Sequence, residues 1–149
     1  MEARIKNMQT VLNDSWGLLV ALGKSLATSP IPEKTRALLH IRTAQINGCA
    51  VCLDGQITKS TETPQRLGAV AVWREAPFFS DAERAALGLA EAVTRLADQT
   101  ERVPDATWDE ARRHYDDAAL AWLVFEVAVA NLYNRLNVAT RQVAGTQRW

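Results

Sequence analysis

Cysteine is scarce in this sequence, with two residues in 149, too few to staple a chain of this length as small secreted scaffolds are stapled. Charge of one sign is absent as well. Lys and Arg number 17 against 17 Asp and Glu, spread along the chain, so the basic footprint of a nucleic-acid binder is missing. Glycine and proline are few, 7 and 5, which disfavours an all-β chain full of turns. The longest apolar run, Ala118 to Ala130, is interrupted by Glu126 and falls short of the roughly 20 residues a membrane span needs. The opening residues, Met1-Glu2-Ala3-Arg4-Ile5-Lys6, show no apolar core with a small-residue cleavage site, so secretion is not signalled. A cytoplasmic, reducing location with no membrane or nucleic-acid partner is expected. Hydrophobic residues at 48% and charged residues at 23% fit a globular chain.

What is present is helical periodicity. Ile5, Met8, Leu12, Trp16, Leu19, Leu22 and Leu26 recur at helical spacing and stop before Ser29-Pro30-Ile31-Pro32. A second helix is expected from Glu33 to about Gln45, with Ala37, Leu38, Ile41 and Ala44 on one face, and Asn47-Gly48 supplies the turn that follows. A third should begin at Cys49 and run to about Ser60. Thr63 then caps a helix from Pro64 to about Trp73, with proline at the first helical position. Ser80 and Glu83 form a capping-box pattern ahead of the stripe Ala82, Ala86, Leu89, Val93 and Leu96. A short helix is expected from Val103-Pro104-Asp105 to about His114. The last, opened by Asp116-Asp117, should reach about Val143, with Leu120 to Val129 apolar nearly all round and so buried centrally or at a subunit interface. The expectation is an all-α chain of six to seven helices forming one domain over residues 1–149, its first 30 residues used in packing or assembly.

Chemistry concentrates at Cys49-Ala50-Val51-Cys52. Thiols three residues apart in a helical turn fall on nearly the same face, within disulfide reach. Beside unpaired N–H groups at the positive end of a helix, a thiol is biased towards thiolate, the reactive form. The pair is a redox candidate on these grounds. A zinc site would need His40 and His114 as further donors, but they flank the pair at no usual finger spacing. No metal and no cofactor is expected. His114 reads as a surface residue near a helix C-terminus, and Trp16, Trp73, Trp108, Trp122 and Trp149 as core or interface anchors. Asn131, Tyr133 and Asn134 are candidates for lining a cavity beside the cysteines, with burial and satisfied hydrogen bonds the default.

Residues 41–54, Ile-Arg-Thr-Ala-Gln-Ile-Asn-Gly-Cys-Ala-Val-Cys-Leu-Asp, resemble the core motif of the alkylhydroperoxidase D-like (AhpD-like) proteins in the carboxymuconolactone decarboxylase superfamily. Trp73 to Ser80, with the Ala-rich helix after it, and Asn131 to Leu136 are similar to further segments of that family, so the resemblance covers about residues 35–140. It implies an all-α fold assembled as a homotrimer or homohexamer. Decarboxylase members lack the cysteine pair, so the implied branch is the redox one: a thiol peroxidase or thiol–disulfide oxidoreductase acting on hydroperoxides and reset by a dithiol or thioredoxin-like reductant. By that resemblance Cys52 is the peroxidatic residue and Cys49 the more accessible partner that meets the reductant. The family usually places a histidine four residues after the second cysteine and a glutamate twelve before the first. Here those positions hold Gln56 and Ala37, which cannot exchange a proton. Positioned acid–base groups are worth about 10² to 10⁴ in rate, so activity should be low unless Glu33 or His40, each about one turn from Ala37, substitutes. Asp54 is a further nearby acid, although a carboxylate would raise a thiol pKa. The alternative is a non-catalytic or redox-sensing member with a small-ligand cavity.

Overall fold

The computed structural model describes residues 2–145. Among them lie eight α-helices, two 3-10 turns and no strand: α1 (Met8–Leu12), α2 (Asp14–Ser25), α3 (Glu33–Asn47), α4 (Ala50–Lys59), α5 (Pro64–Ala69), α6 (Asp81–Thr94), α7 (Asp105–Arg112) and α8 (Asp117–Ala139). The 3-10 turns are Leu26–Thr28 and Val70–Val72. Trp149 lies outside the described residues.

Helix α3 is the hub, packed against α8, α6 and α4, while α6 also packs against α7 and α8. Its consecutive Leu38 and Leu39 explain the position. Leu39 joins Leu89, Leu120, Leu123 and Val127 in one core cluster, and Leu38 joins Ile41, Leu67, Val70, Trp73 and Leu87 in another. A helix buried on two sides must hide its polar side chains with partners. Arg36 donates to the Leu26 carbonyl at 2.7 Å, and Arg42 reaches Glu91 of α6 at 2.6 Å. Glu91 also receives the Trp73 indole N–H at 3.0 Å and pairs with Arg74 at 2.6 Å. Burial works against its charge, but the hydrogen bonds from Arg74, Trp73 and Arg42 outweigh that and hold its carboxyl below the ordinary value.

Local signals end the elements where they should. Asn47-Gly48 closes α3 with Gly48 at φ 66°, a left-handed conformation that glycine adopts without strain. Thr63 caps α5 through the Arg66 N–H, and Ser80 and Glu83 make both bonds of the capping box on α6. Three boundaries differ from expectation. The N-terminal segment breaks at Asn13, whose φ of 47° separates α1 from α2. Beyond Ala69 the chain tightens into a 3-10 turn, and α8 stops at Ala139, where the Thr140 hydroxyl bonds back to the Leu136 carbonyl at 2.7 Å and Arg141 turns left-handed. No described helix is long and apolar enough to cross a membrane.

Candidate active site

The turn between α3 and α4 positions the cysteines. Cys49 is the N-cap of α4 and Cys52 stands in its first turn, and the two are joined by a disulfide with Cα atoms 5.3 Å apart. The Cys49 backbone N–H donates to the Ala44 carbonyl at 2.9 Å, and its carbonyl accepts from Leu53 N–H at 2.9 Å, so the turn is closed at both ends. Asn47 ties the same turn to α8, donating to the side-chain oxygens of Asn131 at 2.9 Å and Asn134 at 3.0 Å. Both asparagines are buried and bonded, as the default reading expected, and Asn134 also lines the cavity described next.

The two sulfurs have different surroundings. Cys49 is 2% exposed, packed with Ala44 and Val51. Cys52 is half-buried, accepts a hydrogen bond from the Asn137 amide of α8 at 3.3 Å, and lines a cavity of about 920 Å³. This corrects the accessibility implied by the family resemblance: in this disulfide form the second cysteine faces open space and the first is enclosed, because its N-cap place faces the end of α3.

Helix α4 contributes Cys52, Gly55, Gln56 and Lys59 to the cavity, α8 contributes Tyr133, Asn134 and Asn137, and α3 contributes His40. The opposite wall is the N-terminal segment, including Met8, Trp16, Val20 and Leu26, so Trp16 serves as cavity wall rather than core. That wall is tied down at several points. The Tyr133 hydroxyl donates to the Leu19 carbonyl at 2.6 Å, Arg4 N–H to the Thr140 carbonyl at 2.8 Å, and the Gln142 amide to the Ile5 carbonyl at 2.9 Å. Gly23 lets Tyr133 in: a Cβ there would lie 2.6 Å from the tyrosine oxygen.

A polar relay runs away from the cavity. The Gln56 side-chain N–H donates to His40 Nδ1 at 3.2 Å, and His40 Nε2 lies 2.8 Å from Glu126 Oε2. Glu126, on α8, is fully buried; its other oxygen lies 3.4 Å from Arg36 Nε without making a hydrogen bond. Of the expected auxiliary residues, Gln56 and His40 are therefore brought together. Glu33 is not: it is exposed in the first turn of α3, about two turns below His40, and does not line the cavity. The carboxylate that reaches His40 is Glu126, which in the sequence stood out only as the interruption of an apolar run. Asp54 is occupied elsewhere, accepting the Gly145 N–H at 2.9 Å. His114 lies just beyond α7, 3.5 Å from Glu110, and is not among the cavity residues. Among the described residues, no three His, Cys, Asp or Glu side chains form a cluster able to hold a metal ion.

Known proteins resemble this chain to different depths. Residues 17–92 match the carboxymuconolactone decarboxylase family. The uncharacterized protein YdfG of Bacillus subtilis strain 168 is 36% identical over 125 residues, which cover 82% of this chain and 84% of that protein. A solved protein of unknown function from Agrobacterium tumefaciens, proposed to be the antioxidant defence protein AhpD, has a TM-score of 0.91 at 27% identity, covering 98% of this chain and 100% of its own. The debrominase Bmp8 shares the fold at a TM-score of 0.78 and 22% identity, over 89% of this chain and 72% of that one. The all-helical architecture, the family match and the close relative agree, and the chain belongs to the carboxymuconolactone decarboxylase family as an AhpD-like member.

Proposed function

We propose that the protein is an antioxidant thiol peroxidase, reducing hydroperoxides through Cys52 and Cys49 and reset by a dithiol or thioredoxin-like donor. The observation that carries this reading is the disulfide-bonded cysteine pair at the start of α4 with one sulfur, Cys52, opening into a cavity of about 920 Å³. In the reduced pair, the α4 N-terminus and the Asn137 amide favour the Cys52 thiolate. That thiolate attacks the O–O bond of a hydroperoxide. The S–O bond forms, the alkoxide leaves and takes up a proton, and Cys52 becomes a sulfenic acid. Attack by the Cys49 sulfur then forms the disulfide and releases water, so two thiols and one hydroperoxide yield one disulfide, one alcohol and one water. A dithiol exchanges with the disulfide at Cys52, the more open sulfur, and restores the pair.

The need for such a donor fits a reducing cytoplasm. The exposed stripe Ala118, Ala121, Phe125, Ala128 and Leu132 on α8 supports a homo-oligomer, a trimer or hexamer, that covers it. The competing reading, a redox sensor that binds a small ligand without turnover, is favoured by the replacement of the family's usual relay residues by Ala37 and Gln56. Dithiol-dependent consumption of cumene hydroperoxide separates the two. Sustained turnover that Cys52→Ser abolishes is expected; a single oxidation with no turnover under excess donor would favour the sensor.

A further inference from the structure

We propose that His40 is the proton-exchanging group of the Cys52 cavity and that Glu126 positions it, so that α3 and α8 supply the acid–base function that Ala37 and Gln56 cannot. This rests on the thiol-peroxidase reading above and concerns the proton in its first step.

Three observations converge. His40 lines the same cavity as Cys52, and Gln56, one helical turn beyond Cys52, bonds to its Nδ1. With the Gln56 amide nitrogen facing Nδ1, the ring takes the tautomer in which Nδ1 accepts and Nε2 carries the hydrogen towards Glu126. The basic nitrogen is thereby turned towards the cysteine helix. Finally, Glu126 is a fully buried carboxylate on an otherwise apolar stretch, with one oxygen that makes no hydrogen bond. Burying a carboxylate costs stability unless it is paired, and its partners are His40 and Arg36.

In the reaction, Gln56 releases Nδ1, which accepts the proton of the Cys52 thiol and leaves a thiolate beside an imidazolium. Glu126 stabilises that imidazolium through Nε2. When the thiolate attacks the hydroperoxide and the O–O bond breaks, the Nδ1 proton passes to the departing alkoxide, giving the alcohol and returning His40 to neutral. His40 pairs with Glu126 of α8, which also pairs with Arg36 on the histidine's own helix, and the charged and titratable groups that line the cavity with it are Tyr133 on α8, Lys59 on α4, Lys24 on α2, and the Glu2–Lys6 ion pair ahead of α1. Glu126 is hydrogen-bonded to the ring at Nε2.

The test is the rate at which the reduced protein loses thiols to cumene hydroperoxide, followed across pH. His40→Gln is expected to slow it at least about tenfold and to change the shape of its pH profile. Glu126→Gln should also slow it, and free imidazole should restore rate to His40→Ala. If wild type itself is not oxidised, the peroxidase reading falls. If wild type is oxidised but His40→Gln matches it in rate and pH profile, or imidazole fails to restore a folded His40→Ala, the present proposal falls alone. Should the His40 variants not fold, diethyl pyrocarbonate decides the matter in His114→Gln, where His40 is the remaining histidine. Modification while the cysteines are protected as the disulfide, followed by reduction, must slow oxidation, and hydroxylamine must reverse the loss; an unchanged rate after modification overturns the proposal.

Discussion

The most informative perturbation of the scaffold is at Glu126, because it separates volume, hydrogen bonding and charge at a buried site. Glu126→Ala strips the acceptor from His40 Nε2–H, whose side chain is 17% exposed. Leaving such a donor unpaired costs about 1–3 kcal/mol. Arg36 loses its counter-charge but is 21% exposed and keeps the Leu26 carbonyl, so its loss is about 1 kcal/mol at most. The missing side-chain methylene and carboxyl leave a void in the α3–α8 packing that adds about 1–2 kcal/mol. A destabilisation of about 4 kcal/mol follows, within the range for breaking a buried ion pair from one side. Glu126→Gln keeps the volume and an acceptor for Nε2–H and should cost only about 1 kcal/mol. Urea unfolding of the disulfide form, fitted by linear extrapolation, measures both. Near-wild-type stability in the alanine variant, or equal losses in the two variants, would refute the assignment of a hydrogen-bonded positioning role.

Two further outcomes are expected. Glu91 has a folded pKa below its unfolded value, so its contribution to stability is fully present above the unfolded pKa of about 4.3 and is lost as pH falls through the folded pKa. Glu91→Gln should therefore be destabilised at neutral pH and show a shallower loss on acidification, read from denaturant midpoints across pH; parallel curves would contradict this. Tyr133→Phe removes the bond to the Leu19 carbonyl, worth about 1 kcal/mol, and should speed amide exchange in α2 more than in α3. Uniform acceleration across the chain would mean the tyrosine does not act as a local tie on the cavity wall.

How much of this was legible in the sequence depends on how local the cause was. The Ser80–Glu83 box, the Thr63-Pro64 start and the Asn47-Gly48 stop each act within one turn, and all three operate as read. The break at Asn13 was hidden because the apolar spacing continues through it, with neither proline nor glycine to mark it. Helix α3 was read from one apolar face, whereas its Leu39 and Thr43 are buried as well; neighbours from α6 and α8 decide that, and they are distant in sequence.

The site divides in the same way. The cysteine pair follows from its spacing and turn, and His40 from its place on α3. Glu126 lies 86 residues from His40, and no local pattern joins them. The signal that could have found it was the lone carboxylate inside Leu120–Val129, an apolar stretch that a charge enters at high cost without a buried partner. Glu33 is a candidate only by its proximity along the chain, and it lies at the solvent-facing start of the helix.

The central claim is that the α4 thiols react with a hydroperoxide as a pair. Its most direct test is a single-turnover titration of the reduced protein with cumene hydroperoxide, counting free thiols and alcohol formed. The account predicts the loss of both thiols for each hydroperoxide consumed, formation of the Cys49–Cys52 disulfide, and in Cys49→Ser a sulfenic acid trapped by dimedone on Cys52. Thiols that stay reduced while a control peroxidase is oxidised would contradict it.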